Sequence, residues 1–244
     1  MNDWYKDWFN SEFYSTIYAH RDSDDANKLV KLILNNLDFE IHKNIFDCPC
    51  GNGRHSIEFA KLGFKVTSMD LSPNLLSLFR DKMMMENLHI PVLRGDIRRI
   101  PIKKKFDVIL NLFTSFGYFD SDEENFLFFL QAKNLLNENG KIIFDYFNPV
   151  FIKNNLVTKQ NYIFDGKQIF ISREIQNSFI VKNISIVDNE KKNNYCEKVK
   201  MYSLRLITNK LNDMGFKIEN IFGSYAGDSF NESDSERIIL VVRI

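Results

Sequence analysis

Three short runs hold the residue types best suited to gripping a small molecule. The first is Asp47-Cys48-Pro49-Cys50-Gly51-Asn52-Gly53-Arg54-His55, the second Met69-Asp70-Leu71-Ser72, the third Gly95-Asp96-Ile97. Paired glycines in the first let a backbone come close to a ligand, and a helix starting there offers free N–H groups. An acid at Asp70 can accept both hydroxyls of a ribose. Asp96 can accept from an exocyclic amine, and Ile97 can pack on a purine face. A nucleoside satisfies all three runs at once, provided the fold brings them to one edge.

The surrounding pattern is that of strands alternating with helices. Asn44–Cys48, Phe64–Met69, Ile90–Leu93, Phe106–Leu112 and Lys141–Phe147 read as strands. Helices read over Asp25–Leu37, over Gly53–Leu62, and from Ser72-Pro73 to about Asn87, where Ser is the cap and Pro the first helical residue. Ser121-Asp-Glu-Glu124 has the form of a capping box, and its helix is expected to run to just before Gly140. Such alternation predicts a doubly wound α/β fold, whose ligands bind outside the carboxyl ends of the strands. Each of the three runs follows a predicted strand.

From about Tyr162 to Ser203 the helical period fades. Asp165-Gly166 signals a hairpin, two alternating runs follow (Ile169–Ile175 and Ile180–Ile186), and Asp188–Asn194 reads as a polar turn before a third. A last helix (Ser203–Met214) and two strands (Lys217–Phe222, Arg237–Val242) close the chain. The predicted organisation is an N-terminal helical, aromatic lid (1–43), a core (44–150 and 203–244), and an antiparallel β insertion (151–202) as a substrate cover.

These residues resemble the class I S-adenosylmethionine-dependent methyltransferases. The match is Asp47-x-x-x-Gly51-x-Gly53-Arg54-His55 for motif I, Met69–Ser72 for motif II and Gly95–Ile97 for motif III. Phe106-Asp107-Val108-Ile109 and the loop Asn111–Tyr118 stand for motif IV, and Phe144-Asp145-Tyr146 for the strand after it. The resemblance runs from about Tyr14 to Ile244. It implies a Rossmann-like, mostly parallel seven-stranded sheet, with the antiparallel insertion of bacterial members that act on small molecules. By this resemblance Gly51, Asn52 and Gly53 pass the methionine moiety, and Asp47 holds its ammonium directly or through water. Asp70 and Leu71 take the ribose, Asp96 and Ile97 the adenine. Asn111, Leu112 and Phe113 line the sulfonium end, and Tyr14 and Tyr18 close over cofactor and substrate. Two departures stand out: Cys48-Pro49 in motif I, and Ser56 where some members carry a third Gly. The missing third Gly also counts against a dinucleotide enzyme.

A methyl on a sulfonium is already activated, so positioning an acceptor in line dominates the chemistry. If a proton must leave the acceptor, Asp145, His55 and Tyr146 are the candidate bases. The sequence alone leaves the choice open.

Composition narrows the acceptor. The chain of 244 residues carries 32 Lys+Arg and 32 Asp+Glu, so no overall field draws it to nucleic acid. A small-molecule acceptor is expected ahead of RNA or protein, with a non-catalytic S-adenosylmethionine-binding module as a further alternative. The basic run Arg98, Arg99 and Lys103–Lys105 reads as a solvated turn. Three cysteines and four histidines in no ligand spacing predict no metal site and a reduced, cytoplasmic protein. No apolar run approaches the ~18 residues of a spanning helix, so no membrane partner is expected. A homodimer stays open.

Overall fold

The computed structural model describes residues 3–18, 23–38, 40–189 and 191–244. The chain opens with three helices, α1 (Trp4–Phe9), α2 (Glu12–Ile17) and α3 (Ser23–Leu34). Strand–helix alternation follows: β1 (Asn44–Asp47), α4 (Arg54–Lys61), β2 (Lys65–Asp70), α5 (Pro73–Met85), β3 (Val92–Arg94), β4 (Phe106–Asn111), α6 (Asp122–Leu135) and β5 (Leu136–Phe147). A short α7 (Pro149–Asn154) leads into β6 (Lys159–Phe164), β7 (Lys167–Gln176), β8 (Phe179–Asp188) and β9 (Lys191–Lys200). The chain ends with α8 (Leu204–Asp213), β10 (Lys217–Phe222) and β11 (Arg237–Arg243).

The larger sheet has seven strands in the order β10-β11-β5-β4-β1-β2-β3. The pairs β1–β2, β1–β4, β2–β3 and β4–β5 are parallel; β11 runs antiparallel between β5 and β10. The strand order reverses at β1, between β2 and β4. The register sets Asp47 beside both Ser68 and Leu110, so the strand ends that carry the motifs share one edge.

Two layers of helices cover this sheet, which is why its central strands are buried nearly throughout. On one face α3, α4 and α5 bring Leu29, Ile33, Ile57, Phe59, Leu76 and Phe79 onto Ile45, Val66, Val108 and Val241. On the other, α6 and α8 set Phe128, Phe129, Ile207 and Leu211 against Phe46, Ile109, Phe144 and Leu240. Aromatic rings fill that second layer: Phe116 makes edge-on contacts with Phe126, Phe129, Phe144 and Tyr146.

The expected caps form in part. Ser72 accepts from Leu75 N at 3.1 Å, and Ser121 from Glu124 N at 3.1 Å. The Glu124 side chain does not return the bond to Ser121; it takes Arg98 instead at 2.8 Å. The helix after Ser121 ends at Leu135 rather than near Gly140, because residues 136–140 already run as the start of β5. Leu136 pairs with Phe106, and a register shift then brings Lys141 beside Val108. Gly140 therefore lies within a strand.

The second sheet is a meander of four antiparallel strands, β6-β7-β8-β9, with the hairpin at Asp165-Gly166 in its predicted place. The polar turn expected over Asp188–Asn194 is shorter: Asp188 and Lys191 already pair. The inner face of this sheet, Ile169, Ile171, Ile184 and Ile186, does not rest on the large sheet. It packs with Trp4, Tyr5, Trp8, Phe13 and Ile17 of α1 and α2 and with Phe119.

Candidate active site

A cavity of about 850 Å³ lies outside the carboxyl ends of β1 to β4, walled on its other side by α1, α2 and Tyr18. That volume lies within the roughly 300–1,000 Å³ usual for small-molecule sites. Gly51, Asn52, Asp70, Leu71, Asp96 and Ile97 line it. Leu112 and Phe113 join them from beyond β4, and Tyr14 and Tyr18 from the N-terminal segment. Asp47, Gly53 and Asn111 stand behind the wall.

Gly51 sits at φ +56°, and nothing occupies the space where its side chain would be. Its N–H donates to Asp70 Oδ2 at 2.8 Å, and Ser72 N–H donates to Oδ1 at 2.9 Å. The two bonds fix the Asp70 carboxylate on the cavity wall while each oxygen keeps a lone pair for a ligand hydroxyl. Burial pushes this carboxyl up, and the backbone bonds oppose the shift. Gly53 serves a different purpose. At φ +77° it begins α4, and a Cβ there would overlap the Phe79 ring of α5. The second glycine thus allows close helix packing rather than ligand approach.

Asp47 is fully buried, and its Oδ2 accepts from Ser56 Oγ at 2.5 Å. Ser56 Oγ also meets Ser68 Oγ at 2.8 Å. The serine at the third-glycine position is therefore an anchor for the motif I acid. Burial raises the Asp47 carboxyl to about 7 despite that bond. At the end of β4, Asn111 Nδ2 donates to Cys48 O at 3.4 Å and Ser115 O at 3.3 Å. Its Oδ1 is buried and has no donor among the described residues.

Asp96 is gripped by Arg98, whose Nη2 lies 2.7 Å from Oδ2 and whose Nε lies 3.1 Å from Oδ1. Burial pushes this carboxyl up, but the Arg98 bonds outweigh it and hold the group below its ordinary value. Arg98 also reaches Glu124 at 2.8 Å and Tyr5 Oη at 3.2 Å, and lies 4.3 Å from the Phe119 ring centre. It is no member of a solvated turn. An arginine two residues beyond the motif III acid was the one available signal.

The three candidate bases separate clearly. His55 lines the cavity; burial, then the charge of Arg54, keep its pKa well below the ordinary value, so the imidazole is neutral. Tyr146 does not line it. Its hydroxyl donates to Lys200 O, and burial raises its pKa. Asp145 is fully buried behind the wall and paired with Arg237 at 2.7 Å. Neither Asp145 nor Tyr146 is placed to take a proton from a molecule in the cavity.

No sequence pattern marks the groups that tie the N-terminal segment down. Trp8 Nε1 and Tyr18 Oη both donate to Glu197 of β9, and Lys182 of β8 donates to Tyr18 Oη. On the core side, Ser72 Oγ donates to Phe9 O at 2.8 Å and Asn74 Nδ2 to Asn10 O at 2.7 Å. Among the described residues the cavity wall comes from the core and the N-terminal segment, and none of it from β6 to β9. Among the described residues no cluster of three or more His, Cys, Asp or Glu could hold a metal, and no helix is long and apolar enough to cross a membrane.

Residues 45–140 match the family described as a methyltransferase domain. A putative methyltransferase of Geobacillus sp. (strain WCH70) is 28% identical over 138 residues, 57% of this chain and 52% of that protein. The chain thus spans about half the length of that relative. A solved S-adenosylmethionine-dependent methyltransferase from Clostridium acetobutylicum superposes with a TM-score of 0.79 at 24% identity, covering 95% of this chain and 96% of its own. The S-adenosylmethionine-bound amino pentose methyltransferase CalS10 of Micromonospora echinaspora gives 0.70 at 15% identity, covering 95% and 97%. The sheet order and the site at its reversal point define a Rossmann-like fold shared with these structures. Residues 45–140 are thus similar to methyltransferase domains, and the fold is shared with solved S-adenosylmethionine-dependent methyltransferases.

Proposed function

We propose that this protein moves a methyl group from S-adenosylmethionine to a small-molecule acceptor by in-line displacement. The observation that carries the reading is Asp70: a carboxylate aimed by two backbone N–H groups at a cavity that also holds the Gly51 turn and Asp96. In this reading Asp70 and Leu71 take the ribose hydroxyls, and Asp96 and Ile97 the adenine. Gly51 and Asn52 follow the methionine chain, with Gly53 supporting the turn from behind. Asp47 and the open Oδ1 of Asn111 attract its ammonium, directly or through water. Leu112 and Phe113 flank the sulfonium end. The bound cofactor supplies an activated methyl; the protein supplies distance, direction and exclusion of water.

Tyr14 and Tyr18 belong to the lid, and the four-stranded insertion acts as the platform on which that lid is held. An acceptor therefore meets lid side chains before insertion side chains. The small-molecule class is supported by the size of the cavity, by the balanced charge, and by the amino pentose named for one structural neighbour. His55 is the candidate base in the wall.

Calorimetry with S-adenosylhomocysteine tests the reading. Wild type is expected to bind, and Asp70→Ala to bind roughly 10- to 100-fold more weakly, as expected for bonds to a charged acceptor worth about 1.5–3 kcal/mol. Absence of binding at protein concentrations well above micromolar defeats the proposal. Incubation with pools of amines and amino sugars should release S-adenosylhomocysteine; turnover confined to RNA or protein would remove the small-molecule part.

A further inference from the structure

The geometry points to Asp145 as a positioning residue that holds the Phe113–Thr114 turn, part of the cavity wall, in a backbone conformation those two residues do not keep by themselves. The inference rests on the reading of the cavity as the cofactor site.

Phe113 and Thr114 follow β4 directly, and both have φ +62°. Left-handed backbone is uncommon for any residue but glycine, and for a β-branched residue such as Thr it is an outlier. Two in succession persist only where the surroundings over-determine them. Here the surroundings are Asp145, its partners and Tyr118, whose Oη donates to Thr114 O at 2.7 Å. Phe113 N–H donates to Asp145 Oδ2 at 2.8 Å, and Thr114 N–H donates to the Asp145 carbonyl at 2.9 Å. Arg237 Nη2 donates to Thr114 Oγ1 at 2.9 Å and also reaches Asp145 Oδ1 at 2.7 Å. Arg237 Nε adds a bond to Oδ1 at 2.8 Å, and Tyr225 Oη donates to Oδ2 at 3.0 Å.

An ionised carboxylate offers about four lone-pair sites. In Asp145 each oxygen takes two donors, so none remains for a substrate proton. Its influence must pass through what it holds. Phe113 lines the cavity, and two guanidinium groups lie near its ring, Arg54 at 4.0 Å and Arg237 at 5.9 Å from the ring centre. If the turn relaxed, Phe113 would leave the wall at the sulfonium end. The holding groups come from β5, from the loop before β11 and from the first residue of β11, so the C-terminal part of the chain shapes the site without lining it.

Three measurements test the assignment. In wild type, the Phe113 and Thr114 amides should be protected in hydrogen exchange. Asp145→Ala removes the acceptor of the Phe113 amide, so that amide should lose its protection, and the variant should bind S-adenosylhomocysteine at least tenfold more weakly. Adding Thr114→Gly should restore most of the affinity, because glycine adopts a positive φ unaided. Thermal stability should stay low in that double variant, since the half-buried Arg237 is left without its acid. A purely structural role for Asp145 would move affinity and stability together, with no rescue by glycine. If Asp145→Ala does not fold, Asp145→Asn is read in the same way, since it cannot accept from all four donors. Free exchange of both amides in wild type overturns the assignment. So does wild-type affinity in a folded Asp145 variant, or a lost affinity that Thr114→Gly leaves unchanged. A wild type that binds no S-adenosylhomocysteine, yet protects both amides, overturns the cofactor reading and not the turn.

Discussion

Asp47 shows how one buried side chain can couple the site to pH. Burial raises its carboxyl to about 7, well above the ~3.9 of an exposed aspartate. The folded protein therefore holds a proton there that the unfolded chain releases. The stability tied to this proton is fully present below about pH 4 and is lost as pH rises through about 7. An incoming ammonium needs the ionised form. Binding of S-adenosylhomocysteine at about pH 6 should thus release close to one proton, and the affinity should fall by up to about tenfold per unit below 7. Calorimetry in buffers of different ionisation enthalpy reads the proton directly. Equal heats in all buffers at that pH would contradict the role; in Asp47→Asn the buffer dependence should vanish. The site's acids were legible because each follows a strand in a fixed order of motifs. Their supports were not. Ser56 looked like a missing glycine, and Arg98 like part of a basic run. The partnership of Asp145 with Tyr225 and Arg237 joins positions that only the folded sheet brings together.

At the scale of elements, the parallel half of the fold could be read from caps and buried runs. Ser72-Pro73 set the start of α5, and six consecutive buried residues make β4. Less legible was the start of β5, where the chain stays extended through residues 136–140 and slips register against β4. The first strand of the insertion was also faint: β6 is an edge, exposed along nearly all its length, so no alternation marks it. The tie between α1 and the insertion is a tertiary fact, built from buried Trp8 and the four isoleucines of β7 and β8. It makes a prediction about local stability. Removing a buried Trp ring costs about 3–5 kcal/mol. In Trp8→Ala that loss falls mostly on α1 and α2, which have no other core than this cluster. Hydrogen exchange should rise across residues 3–18 while β1, β4 and β5 keep their protection. Equal loss in the central strands would show instead that the N-terminal segment folds as one unit with the core.

For the molecule as a whole, the cavity lies between the two-layered core and the cluster that joins lid to insertion. A ligand there touches both bodies, so its binding energy opposes lid release as well as global unfolding. At about 100-fold over its dissociation constant a ligand adds about 2.7 kcal/mol of stability. For chains of this size that is a rise in Tm of about 5–11 °C. Scanning calorimetry with S-adenosylhomocysteine should show this shift in wild type, and a clearly smaller one in Trp8→Ala at the same ligand concentration, because the opened lid lowers affinity. The balanced 32 and 32 charges add a second constraint. A recognition site with local acids and no overall field should lose less than about threefold in affinity when salt rises from about 50 to about 200 mM. A nucleic-acid site making six to ten phosphate contacts would lose about 10³–10⁵ over the same range. An unchanged Tm would separate the cavity from cofactor binding, and a steep salt slope with RNA would return the acceptor to the nucleic acids.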